Sequence, residues 1–135
     1  MASKTFYVTT AIDYTNSLPH IGHSYQKVLA DVLKRWHQSL GYDSLYLTGT
    51  DEHGEKVAQA ALKQGEAPKK YCDKISEQFR KAWQSLNIKY DFFIRTTDPK
   101  HEKIVREFLQ KIYDNGYIYK GVYKGLYCVE CEKFV

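Results

Sequence analysis

Pro19-His20-Ile21-Gly22-His23 stands between a short loop, ending in Asn16-Ser17-Leu18, and a long helical pattern, and its reading decides the fold. Upstream lies the apolar, β-branched run Phe6-Tyr7-Val8-Thr9-Thr10, which reads as a buried strand of a parallel sheet. Downstream, Ile21, Tyr25, Val28, Leu29, Val32, Leu33, Trp36 and Leu40 share one helical face for about five turns. Gly41 follows in the usual place past a helix C-terminus. The helix start offers backbone N–H groups and the positive end of the helix dipole, a ready place for phosphate. Two imidazoles add donors, and the glycine between them lets a flat ring approach the backbone. The same histidines would also suit a helix cap or a plain surface position.

Ser44 to Thr50 gives a second strand, centred on Leu45-Tyr46-Leu47-Thr48, and a helix through Val57, Ala61 and Leu62 follows. Strand, helix, strand, helix at this spacing is a βαβ unit, hence parallel pairing with a right-handed crossover. Pro68 suits the first turn of a further helix with Tyr71, Ile75, Phe79, Ala82, Trp83 and Leu86 on one face. Phe92-Phe93-Ile94 reads as a third strand. Thr97-Asp98-Pro99 starts a helix lined by Ile104, Val105, Phe108, Leu109 and Ile112, and Asn115-Gly116 ends it. From Tyr117 to Tyr127 aromatic and polar residues alternate around Gly121 and Gly125, as in a hairpin. The expected fold is α/β, a Rossmann-type parallel sheet with flanking helices over residues 1–115, with residues 116–135 as a second element of different character.

A chain of 135 residues is long enough for a real core, and its 43% hydrophobic and 27% charged content is that of a globular protein. The net charge of +4 is too mild to argue for a nucleic-acid partner. No apolar stretch approaches the roughly 20 residues of a membrane span, and the N-terminus lacks a signal-peptide core. Three cysteines, two of them in Cys128-x-x-Cys131, make a disulfide framework a poor reading and a reducing cytoplasm the better one.

The second chemical cluster is Thr48-Gly49-Thr50-Asp51-Glu52-His53-Gly54, on the turn after the second strand. In an open parallel sheet both clusters lie at the carboxyl ends of neighbouring strands, where such folds bind ligands. Asp51, Glu52 and His53 are therefore expected to face His20 and His23.

These residues resemble a family. TAIDYTNSLPHIGHSYQKVLADVLKRW followed by LTGTDEHGEKV is similar to the N-terminal part of class I aminoacyl-tRNA synthetases, and in particular to the methionyl-tRNA synthetase family. FIRTTD and YKGLYCVECEKF extend the resemblance to essentially the whole chain. It implies ATP-dependent activation of methionine to methionyl-adenylate and transfer to tRNA(Met), with Mg2+ accompanying the ATP. It further implies that His20, Gly22 and His23 meet ATP, and that Ala11, Ile12, Tyr14 and Asp51 line the methionine site. Asp51 would pair with the substrate ammonium, a charge-assisted contact, while His20 and His23 would stabilise charge at the phosphates. Asp13 departs from the family, where a proline or an aromatic often precedes the tyrosine.

Cys128 and Cys131 resemble the first half of the zinc knuckle in the family's connective peptide. Two thiolates leave a structural zinc site two ligands short. The family's second half-Rossmann, its KMSKS loop and its anticodon-binding domain have no counterpart in these residues. The chain is therefore expected to be a piece of a longer enzyme, inactive or weakly active alone and self-associating through an uncovered strand edge and uncovered helix faces. Two other readings remain open. One is a stand-alone nucleotide-binding or nucleotidyl-transfer module with the same histidine pair. The other is a non-catalytic interaction module that completes a metal site with a partner.

Overall fold

A computed structural model describes residues 4–128 and 130–135. The chain packs as two compact units, residues 1–96 and 97–135.

The first unit holds β1 (Thr5–Thr9), β2 (Asp13–Tyr14), α1 (Ile21–Ser39), β3 (Asp43–Asp51), α2 (Glu55–Lys63), α3 (Pro68–Ser85) and β4 (Phe92–Arg95). Every strand of this sheet pairs in parallel with β3. β1 takes its first half, from Thr5↔Asp43 to Thr9↔Leu47, and β2 takes its end, Asp13↔Thr50 and Tyr14↔Asp51. β4 pairs from Leu47↔Phe92 to Thr50↔Arg95. The βαβ unit expected around the histidine pair is thus present. The two-residue β2 was not legible, because a strand that short has no period.

The main core lies where β3 meets α3. Tyr46 packs in one cluster with Ile75, Phe79, Trp83, Ala61, Ala30 and Ile88. On α3 the expected face is the buried one at Tyr71, Ile75, Phe79 and Trp83, while Leu86 at the C-cap is exposed. Pro68 occupies the first turn, where its missing N–H costs no hydrogen bond.

α1 packs the other way round. Its buried residues are Lys27, Ala30, Asp31 and Lys34, and its apolar stripe faces out, with Ile21 87% and Trp36 60% exposed. Each inward charge has a partner. Lys27 meets Asp13 at 2.6 Å, and Lys34 meets Asp91 at 2.7 Å and the Lys89 carbonyl at 2.9 Å. Asp31 accepts the Lys89 N–H at 2.8 Å and a guanidinium hydrogen bond from Arg35 at 2.6 Å. The lysine stems supply the apolar contact while their tips are neutralised.

The second unit begins with α4 (Pro99–Asp114), none of whose residues is buried, and Asp98 stands at its N-cap position. Residues 117–126 hold no strand. The hairpin forms later, as β5 (Tyr127–Cys128) against β6 (Lys133–Phe134), antiparallel with Tyr127↔Phe134. Phe134 gathers Tyr123 and Tyr127 edge-on, at ring-centroid distances of 4.7 and 5.3 Å, which sets the register there and not over Tyr117–Tyr127. Residue 115, where the sequence reading divides the chain, lies inside this second unit.

Candidate active site

The histidine pair builds the start of α1. His20 is the N-cap in extended conformation, and its Nδ1 accepts the Gly22 N–H at 3.1 Å. The His20 N–H is in turn donated to Nδ1 of His23 at 3.2 Å, so the two rings form a reciprocal capping box. The rings lie 3.8 Å apart between centroids, and the His23 ring stands edge-on to Phe79 at 5.3 Å. Backbone N–H groups can only donate, so each Nδ1 must be an acceptor. In the neutral ring the proton then sits on Nε2, and each imidazole keeps one N–H donor for a ligand. Burial pushes the proton affinity of His23 down, His20 and Lys27 add to this, and Asp13 partly offsets it. The neutral ring that the cap requires is thereby favoured. Gly22 has its own role here. A Cβ would meet Cε1 and Nδ1 of His20 at 3.0 and 3.1 Å, so glycine lets the His20 ring fold back onto the helix start.

Asp51 closes β3 in register with Tyr14, and its carbonyl accepts the Thr15 N–H at 3.2 Å. The side chain is half-buried at the strand mouth. Ala11 and Tyr14 are exposed, and Ile12 is half-buried. Ala11 borders an open cleft of about 270 Å3 shared by Val8, Thr10, Gln26, Leu29 and Leu33; Ile12, Tyr14 and Asp51 do not line it.

Glu52 and His53 both turn to the segment at Arg95–Thr96. Glu52 is buried and accepts two hydrogen bonds from Arg95 of β4, at 2.6 and 2.9 Å, and one from the Thr50 hydroxyl at 2.8 Å. Its own N–H goes to Oγ1 of Thr96 at 2.9 Å. Arg95 also reaches Asp73 of α3 at 2.6 Å. Arg95, with Lys69, holds the Asp73 carboxyl below its ordinary range, and its two carboxylate partners keep Arg95 firmly protonated. His53 is exposed, with Nε2 3.4 Å from the Thr96 carbonyl. Glu52 thus clamps the turn that presents Asp51. Sequence reasoning missed Arg95, Asp73 and Lys27; the FIRTTD match contained Arg95 but gave no partner for it.

Cys72 is buried, 3.3 Å from the Thr15 hydroxyl, and burial pushes its thiol pKa up, so it packs rather than reacts. At Cys128, Sγ accepts the Cys131 N–H at 3.3 Å, a geometry that suits a thiolate ligand. Val129, between them, lies outside the described residues. Among the described residues no group of three or more His, Cys, Asp or Glu could hold a metal ion, and no helix is long and apolar enough to cross a membrane.

The family model of class I tRNA synthetases (M) matches residues 6–135. The chain belongs to the class I tRNA synthetases (M). Within that family it is 53% identical, over 129 residues, to the methionine–tRNA ligase of Thermotoga maritima, covering 96% of this chain and 20% of that one. It is 49% identical to the chloroplastic/mitochondrial methionine–tRNA ligase of Arabidopsis thaliana, covering 97% of this chain and 21% of that one. In structure it is similar to Mycobacterium tuberculosis methionyl-tRNA synthetase bound by methionyl-adenylate. That match has a TM-score of 0.93 and 42% identity, and covers 98% of this chain and 26% of the other. The parallel sheet and flanking helices are therefore the catalytic-domain fold of a class I synthetase. This synthetase chain spans only 20–26% of the length of these relatives.

Proposed function

We propose that this chain carries part of the amino-acid activation site of a cytoplasmic methionine–tRNA ligase. Such an enzyme joins methionine to ATP as methionyl-adenylate and passes it to tRNA(Met). The observation that supports it is the pairing of Tyr14 with Asp51 at the end of β3, beside a helix start capped by His20 and His23. In this reading Asp51 accepts the α-ammonium group, and Ala11, Ile12 and Tyr14 line the methionine. The methionine carboxylate attacks the α-phosphorus of ATP, a new P–O bond forms and pyrophosphate leaves. His20 and His23, both holding Nε2–H donors, hydrogen-bond the phosphate oxygens as their charge develops, and Gly22 lets adenine lie against the backbone. Mg2+ travels with the ATP. A zinc ion, where the second unit takes one, would have the Cys128 and Cys131 thiolates as two of its ligands and would serve structure alone. The outward stripe of α1 and the edge strand β1 support self-association of the chain on its own. Sedimentation should show species above the monomer; a monomer at high concentration would refute this part.

The decisive test replaces the matching segment of the Thermotoga maritima enzyme with this chain. The chimera should catalyse methionine-dependent pyrophosphate exchange. In it, Asp51→Asn should lower kcat/KM for methionine on the order of 100-fold, since breaking a buried charge pair from one side costs roughly 3–5 kcal/mol and a wetter cleft somewhat less. A folded chimera without exchange, or an Asp51→Asn chimera with unchanged constants, would overturn the assignment.

A further inference from the structure

Lys27 lies two turns inside α1 and is fully buried, yet it touches both ends of the loop that leaves β1. Its Nζ donates to the Ala11 carbonyl at 2.9 Å and to Oδ1 of Asp13 at 2.6 Å, and stands 5.7 Å from the centre of the Trp83 ring. Asp13 is 5% exposed, and its second oxygen, Oδ2, has no hydrogen-bond partner among the described residues. Burial pushes the Asp13 carboxyl up and Lys27 pulls it down. A buried ion pair with one oxygen unsatisfied is a poor stabiliser, and a well-packed apolar pair of the same volume is often as good or better. The ion pair adds direction: an ammonium has three donors, and two are aimed at Ala11 and Asp13. Asp13 pairs with Thr50, one step before Tyr14 pairs with Asp51.

We infer that Asp13 and Lys27 are positioning residues that brace the Ala11–Tyr14 loop and so set methionine affinity rather than phosphate chemistry. This rests on the functional reading above. In the brace the Asp13 carboxylate is neutralised from α1 by the Lys27 ammonium.

The test uses the chimera and measures KM for methionine and for ATP separately. Lys27→Met should raise the methionine KM about 10-fold or more while the ATP KM moves by no more than about twofold, because misplacing a positioning group by about 1 Å can cost on the order of 100-fold. Lys27→Arg, which keeps the charge, should recover part of that loss. Should Lys27→Met leave Asp13 so poorly accommodated that the protein does not fold, the neutral pair Asp13→Asn with Lys27→Met decides the matter. That double variant should show the same methionine-selective rise, no larger than either single change gives, as coupled residues do. Loss of folded protein would lower kcat and leave both KM values alone. A fall in kcat by itself, or equal changes in the two KM values, would overturn the brace and leave the functional reading standing. An unsubstituted chimera that is inactive would overturn both.

Discussion

Gly49→Ala should destabilise this synthetase chain more than any other single methyl addition. Gly49 sits inside β3 opposite Ile94 of β4, and an alanine Cβ would lie 2.7 Å from Cγ2 and 2.8 Å from the carbonyl carbon of Ile94, and closer still to its oxygen. The obstacle is mainly backbone, not the tip of a flexible side chain. It cannot withdraw without parting β3 from β4 along the run from Leu47↔Phe92 to Thr50↔Arg95. Ordinary overpacking costs about 1–3 kcal/mol; forcing two paired strands apart should cost on the order of 4 kcal/mol or more, in the range reserved for severe single changes. The damage would reach the site, because β4 brings Arg95 to Glu52. Urea unfolding should show a large fall in midpoint, followed in two-state fashion. A loss below about 1 kcal/mol would mean that the strand spacing yields.

Arg95→Met should be the most damaging change to a charge. It takes both guanidinium hydrogen bonds away from the Glu52 carboxylate, whose side chain is 0% exposed, while Asp73 loses its nearer cation. Removing one member of a buried pair costs roughly 3–5 kcal/mol. The penalty should depend on pH. A buried carboxylate deprived of its guanidinium has its folded-state pKa raised, so the destabilisation is complete at neutral pH and is relieved as Glu52 takes up a proton in the folded variant. The unsubstituted chain moves oppositely. The Asp73 carboxyl is held below its ordinary value by Arg95 and Lys69, a contribution present above the unfolded value and lost as pH falls through the folded one. The stability gap between variant and parent should therefore narrow from pH 7 toward about pH 4, near the ordinary glutamate value. Adding Glu52→Gln should recover most of the loss at pH 7. A gap independent of pH, with no recovery in the double variant, would show that Arg95 acts through packing instead of charge.

The strand, loop and helix around Pro19–His23, the second strand and the Thr48–Gly54 turn were all legible in the sequence. The period of their apolar residues and the glycines that punctuate them are local properties, readable without a partner. So was the direction of pairing, because a helix between two short strands leaves them parallel. The same local character explains what could not be read. Periodicity drew the apolar stripe of α1 without saying which side meets the sheet, and the structure turns Lys27, Asp31 and Lys34 inward. Alternating aromatics after Tyr117 suggested strands that the chain forms only at Tyr127 and Lys133, where Phe134 has rings to pack on.

Within Asp51-Glu52-His53, three adjacent polar residues look alike as text. Tertiary structure separates them, because Arg95 arrives beside Glu52 from 43 residues away and draws that carboxylate inward. Asp13 likewise acquires its meaning from Lys27, 14 residues on, once α1 lies beneath the loop. By itself the sequence determined which elements form and where their chemical residues cluster. Which of those charges are consumed inside was decided by strand order and helix packing, since an ion pair depends on distance in space and leaves no period along the chain.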